Sequence, residues 1–152
     1  MKKTFIIIAT LASGFLFQNT EAQIRINVNI GSQPVWGPVG YDYADYYYIP
    51  DIDVYYSVPR HQYIYQQRGR WVFSRSLPPQ YRNYDLYRGY KVVINDDPRP
   101  YIHHQTYREK YASYKGHGDQ EVIRNSREPK YFQIKDHPEH NKWKKEHGRR
   151  NH

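Results

Sequence analysis

The residues of this chain best suited to binding chemistry gather near its C-terminus. Lys142-Trp143-Lys144-Lys145 and Arg149-Arg150 place five cations and one indole within nine residues. Lys and Arg carry their charge on long flexible stems, and an indole beside them adds apolar contact at a lipid or sugar surface. Exposed cations of this kind attract polyanions over about 10 Å at moderate ionic strength, and salt weakens the attraction. The same stretch carries imidazoles. His137 and His140 flank Pro138-Glu139, with Asp136 adjacent, and His147 follows. Flexible His tracts can bind Zn²⁺, Ni²⁺ or Cu²⁺, so a metal site on His137, His140 and His147 is the alternative reading. Two features count against it. Pro138 disfavours the regular helix that would put both imidazoles on one face, and the His-Glu-x-x-His order of zinc hydrolases is absent.

Other pairs carry weaker signals. His103 and His104 are adjacent, so on a helix they diverge by about 100° and do not chelate one ion together. His104 is expected to be a packed residue. Asp51-x-Asp53 and Asp96-Asp97 have the oxygen ligands a Ca²⁺ ion needs, but no further carboxylates follow at calcium-loop spacing. The first pair is expected on the solvent face of a strand and the second in a turn. Arg68, Arg70 and Arg75 interleave with Tyr63, Tyr65, Trp71 and Phe73, a composition suited to stacking on sugars or bases. The competing and commoner reason for such rings is their preference for strands. There is no Gly-x-Ser-x-Gly elbow, Gly-rich phosphate loop, Cys nucleophile or acid pair. No enzymatic activity and no cofactor are therefore expected.

These residues need a scaffold, and composition limits it. The chain has 152 residues, 23 Lys+Arg against 15 Asp+Glu, no Cys and 18 Tyr. That length allows one domain. Its start reads as a secretory signal peptide, residues 1–22. Met1-Lys2-Lys3 is basic, residues 4–17 are an apolar run too short for the roughly 20 residues of a spanning helix, and Thr20-Glu21-Ala22 offers small residues at a cleavage site before Gln23. Export to the periplasm or the exterior follows, with no transmembrane segment in the mature chain. Nucleic acid is not expected as a partner in that compartment. With no Cys, disulfides cannot support the fold, and 17 of the 18 Tyr lie between Tyr41 and Tyr114. Buried Tyr must then supply much of the core.

Alternation predicts a strand over residues 24–30, and a Gly/Pro/Tyr-rich lead completes residues 23–45. Within 41–48, Tyr and Asp interleave without a decisive period. Residues 51–58, 61–67 and 70–76 read as three strands of a meander, with Pro59-Arg60 and Arg68-Gly69 as turns, Gly69 supplying the positive φ of a short hairpin. Residues 90–94 predict a fourth strand. Pro100, the 3-4-3 spacing of His104, Tyr107, Tyr111 and Tyr114, and Gly116 predict one helix over about 101–115.

The fold class is thus α+β, mainly β: a small antiparallel meander of about three to five strands over 46–115, one C-terminal helix, and a tail. Residues 116–152 carry 9 Lys+Arg, 6 Asp+Glu and 5 His with few large apolar residues, so this basic, His-containing tail is expected to be disordered.

The run YYYIPDIDVYYSVPRHQYIYQQRGRWVFSRSLP (46–78), followed by YRGYKVVIND (87–96), resembles small Tyr-rich exported proteins of Gram-negative bacteria with no assigned function. The resemblance covers about residues 46–114. It implies export and antiparallel hairpins, and brings no activity or site residues. The function expected is that of a non-enzymatic, envelope-associated binding or structural protein, whose partner is an anionic polymer or glycan.

Overall fold

The computed structural model describes residues 28–148. The expected signal peptide and most of the expected first strand lie outside these residues. Five strands form one antiparallel sheet: β1 (Tyr46–Ile49), β2 (Val54–Ser57), β3 (Gln62–Gln67), β4 (Arg70–Ser74) and β5 (Val92–Ile94), in the order β4-β3-β2-β1-β5. The α+β, mainly β reading holds. Turn chemistry sets the register. Arg68 and Gly69 take φ of 51° and 74°, the doubly positive turn whose twist suits a two-residue hairpin. It aligns Gln67 with Arg70 and Tyr63 with Ser74. β1 and β2 are joined through residues 50–53, where Asp53 adopts φ 53°.

The predicted alternation fails at the centre of the sheet, because both faces are covered. Every residue of β1 and β2 is buried. One face carries Tyr47, Ile49, Val54, Tyr56, Tyr63 and Tyr65 beneath Trp36. Trp36 meets Tyr56 edge-on at 4.8 Å, a favoured aromatic geometry. The other carries Tyr46, Tyr48, Tyr55, Ile64, Val92 and Ile94, against Tyr107 and Tyr111. Both Tyr107 and His104, whose ring meets Tyr55 edge-on, belong to α1 (His104–Lys110). Tyr55 and Ser57, expected on a solvent face, are therefore interior. Tyr suits such a sheet because its ring fills the core while its hydroxyl finds an acceptor. Tyr47 donates to Gln33 Oε1 at 2.9 Å, Tyr46 to Pro98 O at 2.9 Å and Tyr48 to Asp53 Oδ1 at 2.7 Å.

Three expectations are corrected. Val28 and Asn29 are not strand. Asn29 instead braces the loop, its Oδ1 accepting from the Ala44 N–H and its Nδ2 donating to Ala44 O. The single helix over 101–115 is three pieces, a 3₁₀ turn (Pro100–His103), α1 and a second 3₁₀ turn (Ala112–Tyr114). The chain leaves α-helical geometry at Tyr111, φ −110°.

The third correction is that residues 116–148 are not a disordered tail. Pro38 and Val122 form an antiparallel bridge, and Ile123, Tyr131 and Ile134 join Ile30 and Val35 in a third core. Tyr131 Oη accepts from the Gly40 N–H at 2.7 Å. The few apolar residues of the tail suffice because they share a core with the 28–40 segment. A second helix, α2 (His140–Gly148), follows. No helix among the described residues is long and apolar enough to cross a membrane.

Candidate functional site

α2 carries the basic cluster singled out from the sequence. Lys142, Lys144 and Lys145 are exposed. Among the described residues no carboxylate lies within 4 Å of their ammonium groups. Arg149 and Arg150 lie outside the described residues. Trp143 is half-buried and stacks between His140 (5.9 Å) and His147 (4.8 Å), which follow the helical spacing i−3 and i+4. The two imidazoles hold the indole in one orientation and leave the lysines around it free to reach a partner.

The imidazoles of the alternative metal reading, His137, His140 and His147, are each tied to the backbone through Nδ1. His140 Nδ1 lies 3.0 Å from Phe132 O, and His147 Nδ1 lies 2.9 Å from Trp143 O. A carbonyl only accepts, so both nitrogens donate. His137 is buried, and its Nδ1 accepts from the Glu139 N–H at 3.1 Å. Its Nε2 is sealed from solvent and unpartnered. Donation through Nδ1 leaves Nε2 of His140 and His147 as a lone-pair nitrogen, but no group of three His, Asp or Glu side chains that could hold a metal ion occurs among the described residues.

The Arg-aromatic run does not make one platform either. Tyr63 and Tyr65 are buried on one face of the sheet. Trp71 and Phe73 lie on the other, each packed on Tyr101, at 5.6 and 5.4 Å.

Sequence reasoning missed two polar clefts, one on each side of the β1–β2 turn. Asp51 and Asp53 do not form a strand face; the turn sends them in different directions. Asp51 accepts from Tyr84 O–H at 2.6 Å and from the Gly116 N–H at 2.7 Å. It lines a cleft of about 520 Å³ with Asn83, Asp85, Arg88 and His117. Asp53 accepts from Tyr48 O–H and lies 3.6 Å from Arg108 Nε and 3.5 Å from Lys115 Nζ. It lines a smaller cleft of about 220 Å³ with Gln66, Gln80, Tyr81, His104 and Arg108.

His104 is packed, as expected. Tyr55 Oη lies 3.1 Å from His104 Nδ1. Burial pushes the Tyr55 hydroxyl far above its ordinary range, and the tautomer of the ring sets which of the two groups donates. Burial also lowers the His104 pKa, which keeps the ring neutral at pH 7.

Asp97 organises the start of α1. It accepts from His103 Nδ1 at 2.8 Å, from Tyr107 O–H at 3.2 Å and from the Arg99 N–H at 2.9 Å. Asp96 and Asp97 lie in the irregular stretch between β5 and the 3₁₀ turn at Pro100, Asp96 at a bend. No protein-family model, curated protein or solved structure matches the chain.

Proposed function

We propose that this protein is an exported, non-enzymatic binding protein of the cell envelope, in the periplasm or outside the cell, which contacts an anionic polymer through α2. The observation that carries the reading is the set of exposed lysines without carboxylate partners, Lys142, Lys144 and Lys145, around the braced indole of Trp143. Unpaired surface cations gain most from a partner that presents many negative charges at once, since each ion pair alone is weak in water. The half-buried indole adds an apolar contact.

The test is binding of the mature chain to lipopolysaccharide and to an acidic polysaccharide over a range of ionic strength. The Lys142→Gln, Lys144→Gln, Lys145→Gln triple variant serves as the comparison. Affinity falls with salt for the wild type, and the triple variant binds several-fold less tightly with a shallower salt dependence. Equal affinity for both proteins, or binding indifferent to salt, rejects α2 as the contact.

A further inference from the structure

The cleft beside Asp53 is richer in unused hydrogen-bond donors than its size requires. The Arg108 guanidinium approaches Asp53 through Nε, and none of its nitrogens donates a hydrogen bond to another protein group among the described residues. His104 Nε2 makes no hydrogen bond to protein among the described residues, while Nδ1 is taken up by Tyr55. The amides of Gln66 and Gln80 line the same space without a side-chain hydrogen bond to protein among the described residues. The one carboxylate, Asp53, already faces two cations and a tyrosine hydroxyl. Two cations against one carboxylate leave a single positive charge. Tyr81 is half-buried and packs against the core on one face of the sheet, so the lining left open is mostly polar.

We propose that this cleft binds one carboxylate-bearing sugar unit of an acidic glycan, with the carboxylate on Arg108 and the sugar hydroxyls on His104 Nε2 and the Gln66 and Gln80 amides. A planar guanidinium fork matches a carboxylate with two parallel hydrogen bonds. The single surplus charge fits a monoanion better than a phosphate dianion. The volume holds one ring, so recognition is of a unit, while α2 answers to the charge of the whole polymer. The inference takes its ligand class from the polyanion reading above and adds a second, separately testable contact.

The experiment is calorimetric titration of the mature chain with a uronic acid trisaccharide, a neutral glucose trisaccharide, glucose 6-phosphate and inorganic phosphate. The uronate trimer binds and the neutral trimer does not. Arg108→Gln lowers uronate affinity about tenfold or more, because a charge-assisted bidentate contact is lost. Arg108→Lys, which keeps the charge but not the fork, also loses several-fold. Arg108 is largely exposed, and circular dichroism confirms that its variants fold; Gln80→Ala provides a second variant at an exposed position. The α2 triple variant binds the trimer as the wild type does. Absence of uronate binding, equal binding of the neutral trimer, tighter binding of either phosphate, or indifference to Arg108→Gln overturns the proposal. Loss of trimer binding in the α2 triple variant also overturns it. Loss of long-polymer binding in that variant, with trimer binding intact, supports both contacts, so the two readings fail separately.

Discussion

Lys91→Met exchanges a buried ammonium for an apolar side chain of similar length, and its consequence is a change in how stability varies with pH. Lys91 is 1% exposed and its Nζ donates to Leu86 O at 3.1 Å. Burial lowers its pKa from 10.5 to about 8, against a smaller opposing pull from Asp85. Below pH 8 the folded and unfolded chains both hold the proton, so the cost of the buried charge is constant. From pH 8 toward 10.5 the folded chain has shed the proton while the unfolded chain keeps it, and stability rises with pH. The whole gap corresponds to about 3 kcal/mol, of which about 1.5 kcal/mol is realised between pH 8 and 9.5. Urea unfolding at a series of pH values in that window reads this directly, the wild type gaining about 1.5 kcal/mol relative to Lys91→Met. Met also fills the space with little loss of packing, so the variant is expected to be the more stable protein at pH 7. Parallel pH profiles for the two proteins would refute the claim that a buried ammonium strains this fold.

Above that window the tyrosines dominate. Burial raises the Tyr56 hydroxyl to about 12 and pushes Tyr47, Tyr48 and Tyr55 higher still, so their contribution is complete below the unfolded value near 10 and is lost as pH rises through the folded values. Tyrosinate absorbance and circular dichroism should therefore change together in one steep alkaline step; gradual ionisation of all the tyrosines with the fold intact would contradict their burial. Gly89→Ala would put a Cβ 1.7 Å from Tyr84 Oη, displacing the ring that donates to Asp51, and should cost about 1–3 kcal/mol in urea unfolding. Gly148→Ala, with nothing within 4 Å of the added carbon, should be neutral or stabilising by comparison. A chelator should leave the melting temperature unchanged, since no candidate metal group occurs among the described residues; a fall of more than a few degrees would reveal a structural ion.

The parts legible in the sequence are those whose information is local. β2, β3 and β4 follow from period-two alternation and from a two-residue turn containing Gly69, with expected bounds within three residues of those observed. β1 escaped because Tyr46, Tyr47 and Tyr48 are buried on both faces, so no polar residue marks an outer side. The continuous helix over 101–115 broke because its Tyr spacing reports one buried face and not the backbone at Tyr111. The order of residues 119–137 was hidden for another reason. Val122, Ile123, Tyr131 and Ile134 are too few for a core of their own, and their partners Ile30 and Val35 lie far away in the chain. The same distance concealed the Asp53 cleft. It joins the β1–β2 turn to α1 and to the loop after β4, and Arg108 carries no motif. The basic character of α2 needed no such assembly and was visible at once.

The core shared by Ile30, Val35, Ile123, Tyr131 and Ile134 also governs the order in which the molecule can be finished. A chain delivered from its N-terminus presents Ile30 and Val35 first and must leave them without their distant core partners until residues 123–134 have emerged. Closing so long a loop is slow compared with forming the adjacent hairpins of the sheet. The hairpins can therefore assemble early, while the joining of the two distant segments is the last cooperative event. Loss of residues beyond 130 would strand Ile30 and Val35 in water on an otherwise formed sheet. Such a product has native strand pairing but an exposed apolar seam, the surface a folding chaperone or a protease detects.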